Sequence, residues 1–304
     1  MTLRSLLFVP GDSERKQEKA RSTLADALIL DLEDSVAPAR LPAAREIVRS
    51  FLKGRRPPGS PELWVRVNGP ASGAMPDDLN AIVGARPDGI VVPKVSDAGE
   101  VQALDRSLTA LEKRERRPPD STRLIIIATE TARGLQSAAT YTSLPRVIGI
   151  TWGAEDLAAA LGATTNREPD GTYAFTYRLA RSLCLVAAAA MGVQPIDAAY
   201  VDFRDTEGLA REAATARREG FLGKLAIHPD QVEIINAAFT PDAAEVEQAR
   251  KIVAAFGAAP SAGVLTLDGK MIDRPHLLQA QRVLEAAERA GKRAQTTQTS
   301  KTTE

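Results

Sequence analysis

The feature that most constrains this chain is a rhythm. Eight short runs rich in Val, Ile, Leu and Ala recur along it, and each ends in polar or Gly-containing residues. They occupy residues 3–9 (LRSLLFV), 27–31 (ALILD), 63–67 (LWVRV), 89–92 (GIVV), 124–128 (LIIIA), 147–151 (VIGIT), 198–202 (AAYVD) and 224–227 (KLAI). Their apolar residues are near-continuous rather than alternating, which is the pattern of parallel strands covered on both faces. Helical stretches fall at 13–22, 41–52, 98–113, 134–142, 156–161, 177–191, 206–219 and 229–239. Alternation of strand and helix over eight strands is the plan of a (β/α)8 TIM barrel, which takes about 250 residues. A doubly wound open sheet is the rival, but eight units favour closure.

The eighth helix is expected to end near Phe256. That sets a barrel over 1–257 and a C-terminal extension over 258–291. The extension has a Gly-rich, turn-like segment at 261–273 and one more helix over 274–290. Residues 292–304 (KRAQTTQTSKTTE) carry no large apolar side chain and read as a disordered tail. Prolines at 57–61 and 118–119 mark surface loops.

Composition narrows the function classes. Lys plus Arg total 39 and Asp plus Glu total 39, so the chain has no electrostatic footprint for nucleic acid or an anionic membrane. One cysteine, Cys184, and two histidines, His228 and His276, exclude a disulfide framework, a Cys-ligated zinc site and a multi-His metal site. No apolar run approaches the roughly 20 residues needed to span a bilayer. The first sixteen residues turn polar too soon for a secretory signal, so the cytoplasm is expected. There is no G-x-G-x-x-G after a strand, no Walker A sequence and no G-x-S-x-G elbow.

In a barrel of this kind, chemistry sits at the C-terminal strand ends. Reading the residues there gives Asp31-Leu32-Glu33-Asp34, then Arg66 leading into Asn68-Gly69, then Pro93-Lys94, Glu130, Glu155-Asp156, Asp202 and His228. So many carboxylates together are costly without a cation. Carboxylate oxygens with few histidines suit Mg²⁺ or Mn²⁺. Glu130 and Asp156 would come from adjacent strands and clamp one ion. The bland alternatives are a solvated loop residue for Glu130 and a helix N-cap for Asp156, with Glu155 a competing ligand. Asp31, Glu33 and Asp34 would hold metal-bound water, and strand alternation puts Asp34 on the opposite face from the other two. Arg66, inside an apolar strand, calls for an anion or oxyanion if it points inward, or a surface partner if outward. Lys94 reads as a neutraliser of a carboxylate. His228 could serve as a base, but a structural hydrogen-bonding role is favoured.

These strand ends resemble the citrate lyase β-subunit-like family of acyl-CoA lyases, which includes malyl-CoA and citramalyl-CoA lyases. The segments that carry the resemblance are LRSLLFVPGD (3–12), ADALILDLEDSVAPARLPAAR (25–45), WVRVNG (64–69), VVPKV (91–95), ATETARG (128–134), ITWGAEDLAAALG (150–162), GKLAIHPDQV (223–232) and GKMIDRP (269–275). The resemblance implies a Mg²⁺-dependent barrel, usually a homotrimer or a larger multiple, acting on a small-molecule acyl-CoA. It places the metal on Glu130 and Asp156, and the oxygens of the reacting acyl group on Arg66. Asp34 would bond to metal-bound water, and Arg4 and Lys19 would lie near the substrate or coenzyme A phosphates. Asp273 would sit on a C-terminal lid and complete a neighbouring subunit's site as acid/base. One departure is that VVPKV continues Ser96-Asp97, where relatives often carry Glu-Ser.

The chemistry so implied is retro-Claisen cleavage of a 3-hydroxyacyl-CoA to acetyl-CoA and a 2-oxo acid. The alternatives are a citrate lyase β subunit working on an acyl-carrier protein, an acyl-CoA thioesterase, an aldolase of free 2-oxo acids, and a barrel that binds metabolites without turning them over.

Overall fold

The computed structural model describes residues 2–141 and 144–301, with side chains as far as 291. The segment 292–304, read as a disordered tail, has its backbone in the last helix to Lys301; 302–304 lie outside the described residues. The chain divides into two compact units. The first holds the chain to Arg55 and Pro61–Asn236, and the second holds Arg56–Ser60 and the chain from Ala237.

The first unit is a closed eight-stranded parallel barrel. Its strands are β1 (Ser5–Pro10), β2 (Ala27–Asp31), β3 (Glu62–Arg66), β4 (Gly89–Val92), β5 (Arg123–Ile127), β6 (Val147–Thr151), β7 (Gln194–Asp197) and β8 (Gly223–Ala226). The helices are α1 (Glu14–Ala20), α2 (Leu41–Lys53), α3 (Met75–Ile82), α4 (Ala98–Arg114), α5 (Ala132–Ser137), α6 (Ala154–Leu161), α7 (Phe175–Met191), α8 (Thr206–Glu219) and the start of α9 (Gln231–Ala238). Leu6, Ile29, Trp64, Val91, Ile125, Ile196 and Leu225 belong to one buried cluster drawn from seven strands, with Trp64 fully buried. This is the packed interior of a barrel rather than a pore.

Two elements differ from the sequence expectation. The seventh strand is Gln194–Asp197 (QPID), not the apolar run at 198–202. Polar chemistry hides it. Gln194 ties the base of β7 to β1, accepting from Leu3 N at 2.9 Å and donating to Leu3 O at 2.6 Å. Asp197, fully buried, accepts from Trp152 Nε1 (2.8 Å), Arg181 Nε (2.9 Å) and Lys224 Nζ (2.7 Å). The second difference is α3, which the sequence reading omitted. Its first turn, Met-Pro-Asp-Asp, has the composition of a loop, yet proline is tolerated there and acids favour the helix N-terminus.

The second unit has α10 (Ala243–Ala258), a hairpin of β9 (Val264–Leu267) and β10 (Lys270–Asp273), and α11 (Arg274–Lys301). Helix α10, counted with the barrel from sequence, groups here with α11 and is started by a capping box of Asp242 and Glu245. The Gly-rich segment at 261–273, expected as a turn, holds this hairpin, closed by a two-residue turn. Asp268 (φ 50°) and Gly269 (φ 74°) both sit in the left-handed region, the requirement of a type I′ turn.

The Asp197 network generates a stability prediction. Asp197→Ala leaves Trp152 N–H unbonded, Arg181 without its buried acceptor and Lys224 with Glu212 only. Stranding buried charge in this way is expected to cost about 3–5 kcal/mol, read from urea unfolding of the barrel. A loss below about 1 kcal/mol would show that the network does not hold β7.

Candidate active site at the ends of β2 to β6

Five consecutive strands deliver one cluster. Asp31 and Arg66 are the last residues of β2 and β3 and pair in register. Arg66 forks onto Asp31, Nε to Oδ1 and Nη2 to Oδ2, both at 2.7 Å. Its Nη1 donates to Asp34 Oδ2 at 3.2 Å and lies 3.0 Å from Glu33 Oε2 as an ion pair. The Phe8 ring is 4.8 Å from the guanidinium carbon. Arg66 therefore points inward, the first of the two orientations the sequence offers, and the anion that holds it is the buried Asp31 carboxylate. The signal was available: both residues end adjacent strands.

The turn after β2 departs from strand alternation. Asp31 accepts from Glu33 N (3.0 Å) and Ser35 N (3.1 Å), which folds the chain back. Asp34 therefore joins Glu33 beside Arg66 and Lys94 instead of facing away. Lys94 Nζ lies 2.6 Å from Glu33 Oε1, 3.0 Å from Asp34 Oδ1 and 3.5 Å from Asp156 Oδ1. Lys94 has φ 55°, a left-handed conformation uncommon outside glycine. That turn aims its backbone N–H at Glu130 Oε2, 2.6 Å away.

Glu130 follows β5 and is 4% exposed, so it is no solvated loop residue. Gly153 makes room for it: a Cβ there would stand 2.7 Å from Glu130 Cγ. Asp156 lies in the first turn of α6, whose N-cap is Gly153, so Asp156 is not the cap. Glu155 turns aside and accepts from Asn166 Nδ2 at 2.7 Å. Asn68 Nδ2 donates to Leu32 O (2.8 Å) and to Asp78 Oδ2 (2.9 Å), so the omitted helix α3 braces the loops after β2 and β3.

Other sequence candidates lie elsewhere. Arg4, expected near substrate phosphates, precedes β1 and forks onto Asp26, Nε at 3.1 Å and Nη2 at 2.9 Å. It sits at the N-terminal end of the strand. A six-residue strand separates the two ends by about 20 Å, so the structure does not bring Arg4 to the cluster. Lys19 is exposed in the last turn of α1. His228 stacks on Phe203 with centroids 4.8 Å apart. Asp273 ends β10 in the second unit, where Oδ1 is 2.5 Å from His276 Nδ1. Among the described residues no group of three or more His, Cys, Asp or Glu side chains is gathered tightly enough to hold a metal without rearrangement.

Burial dominates the electrostatics. It raises Glu33 to about 7 against the pull of Arg66 and Lys94. It also raises Glu130 well above the usual carboxylate value, assisted by the charges of Asp156 and Glu33 and opposed by the Lys94 amide. Asp31 is held below the usual range because Arg66 outweighs its burial. A carboxyl raised on folding stabilises the fold below its unfolded value and loses that contribution as pH climbs through the folded one. Glu33 should therefore weaken metal-free protein between about pH 4.5 and 7. Glu33→Gln, compared with the parent by urea denaturation in EDTA, should gain relative stability from pH 5 to pH 8, by about 3 kcal/mol at most. A constant difference across that range would refute the assignment.

The family model for HpcH/HpaI aldolase/citrate lyase matches residues 4–229. A (3S)-malyl-CoA thioesterase of Cereibacter sphaeroides is 38% identical, covering 94% of each chain. The mitochondrial citramalyl-CoA lyase of Rattus norvegicus is 35% identical, covering 93% of this chain and 86% of its own. The crystal structure of the Mycobacterium tuberculosis protein CitE with magnesium, acetoacetate and coenzyme A superposes with a TM-score of 0.77 at 34% identity, covering 94% of this chain and 98% of that one. With the strand-end cluster, these likenesses make the chain an enzyme of the HpcH/HpaI aldolase/citrate lyase family.

Proposed function

We propose that this enzyme cleaves the bond between the second and third carbons of a 3-hydroxyacyl-CoA of the malyl or citramalyl type, releasing acetyl-CoA and a 2-oxo acid. The observation that carries the reading is the pairing of Glu130 and Asp156 at adjacent strand ends beside an inward, immobilised Arg66. The donor set fits a divalent cation. Glu130 is a buried carboxylate with one oxygen held by an amide and its charge opposed by Asp156. All the converging groups are hard oxygens, which suits Mg²⁺. Glu130 and Asp156 would hold the metal and Asp34 would bond to its water; when bound, the metal would supply Lewis acidity at the substrate hydroxyl and the adjoining carboxylate.

The chain's own residues do the rest. Asp31 fixes the guanidinium plane of Arg66, and the second hydrogen on Nη2 would serve the developing enolate oxygen of the acetyl thioester. Asp273, as the acid/base, takes up the hydroxyl proton as the carbon–carbon bond breaks and returns a proton to the enolate carbon, acting in the site of a second copy within a homotrimer. Lys19 meets the coenzyme A phosphates. The expected compartment is the cytoplasm; among the described residues no helix is long and apolar enough to cross a membrane. A second reading, hydrolysis of the thioester, is favoured by the name of the Cereibacter sphaeroides relative.

The test is incubation with malyl-CoA and citramalyl-CoA, with Mg²⁺ or EDTA, and mass spectrometry of acetyl-CoA, free CoA and 2-oxo acid. Mg²⁺-dependent acetyl-CoA with glyoxylate or pyruvate is expected. Free CoA with intact hydroxy acid would establish the second reading, and no turnover would overturn both. Glu130→Gln and Asp156→Asn should each lower the rate by about a hundredfold or more. Mixing inactive Asp273→Asn with inactive Glu130→Gln after subunit exchange should restore part of the activity, because some sites then receive both intact groups. A mixture as inactive as its parts would place Asp273 in its own subunit's site or outside the chemistry.

A further inference from the structure

Lys94 has more bonds into the carboxylate cluster than any neutral role requires. Its ammonium touches Glu33, Asp34 and Asp156, which come from two different strand ends, and its amide holds Glu130. These contacts depend on a left-handed backbone at a non-glycine residue, a conformation that costs free energy wherever it occurs. Gly69 leaves room for the side chain: a Cβ there would stand 3.2 Å from Lys94 Cβ. Beside Arg66, the Lys94 ammonium thus sits where the carboxylates after β2 meet Asp156, and the chain is bent to put it there.

The geometry points to Lys94 as a built-in counter-cation that competes with the divalent metal for Asp156. Without metal, the ammonium bridges Asp156 to Glu33 and Asp34 and keeps like charges from pushing the loops apart. The bridge is unequal. At 3.5 Å the contact with Asp156 is the longest of the three, so it is the first to yield when a cation settles between Glu130 and Asp156. Glu33 and Asp34 then retain the ammonium, and the amide keeps its hold on Glu130 Oε2, leaving Oε1 for the metal. Lys94 is in this sense a positioning residue with two states. The inference rests on the proposed metal role of Glu130 and Asp156.

The experiment titrates Mg²⁺ into chelator-stripped protein by calorimetry and records Tm in EDTA. Lys94→Met keeps the aliphatic stem and the same backbone cost but removes the charge. It should bind Mg²⁺ about tenfold more tightly than the parent, because a competing positive charge is gone, while its Tm in EDTA falls. Lys94→Arg, which keeps the charge, should bind within about threefold of the parent. If Lys94→Met does not fold, Lys94→Gln, which can still hydrogen-bond Glu33, carries the same expectation. Equal or weaker Mg²⁺ binding by the uncharged variant would overturn the competition. Failure of the parent to bind Mg²⁺ at all would overturn the inference and the metal reading together, whereas parent binding that Glu130→Gln abolishes keeps the metal reading whatever Lys94 does.

Discussion

Two cations, Arg66 and Lys94, stand against five carboxylates, Asp31, Glu33, Asp34, Glu130 and Asp156, and the site is organised by that imbalance. Ionised together, the seven groups would leave three negative charges in excess, most of them out of water. Such an arrangement persists only if each carboxylate is paired, hydrogen-bonded or protonated. The structure uses all three means. Asp31 takes the Arg66 fork, Glu130 takes an amide, and Glu33 holds its proton to about pH 7. Asp156 lies in the first turn of α6, where a helix N-terminus favours negative charge, with Lys94 alongside. A divalent cation would bring the cluster close to neutrality.

The barrel sets how far each side chain must reach. Neighbouring strands are about 4.8 Å apart, so groups from β2 and β6 converge only across the closed interior and only on long side chains. Arg66, Lys94 and Glu130 have that length. The other side of the barrel meets the same need for burial differently. Asp197 and Lys224, on β7 and β8, pair with each other and with the side chains of Arg181 on α7 and Glu212 on α8. One charged network answers to the strand ends and the other to the seam between strands and helices.

The legible part of the sequence was whatever hydrophobic repetition encodes. Seven of the eight strands lie where apolar runs predict them, because a strand covered on both faces must be apolar throughout. The seventh is legible only through its contacts: Gln194 and Asp197 are buried by pairing, which leaves no hydrophobic trace, and the apolar run just after it draws the eye instead. The hairpin turn carried an Asp-Gly signal that a composition-led reading passes over. At the site, the residue types and strand ends were legible, but the partners were not. Alternation fails for Asp34 because the Asp31 side chain, not strand geometry, dictates the turn that follows. Arg4 illustrates the converse: a resemblance supplies a residue and a role, and the strand direction shows that it lies at the N-terminal end of β1, paired with Asp26, away from the carboxylate cluster.

The Arg66–Asp31 fork has a further consequence for chemistry. A guanidinium has five N–H groups in a fixed plane. Asp31 takes two, Asp34 takes one from Nη1, whose other hydrogen has Glu33 beside it only as an ion-pair partner, and the second hydrogen on Nη2 is left. That residue cannot swing toward a ligand as a free arginine would, so its orientation is set before any substrate arrives. Preorganisation of this kind is what makes a donor stabilise a developing oxyanion rather than merely bind a ground-state carbonyl. A lysine at the same position would keep the charge but lose the fork, and with it the plane that aims the remaining hydrogen. The buried aspartate is therefore part of what lets Arg66 act, and the electrostatic cost of burying it is offset by a direction fixed in advance.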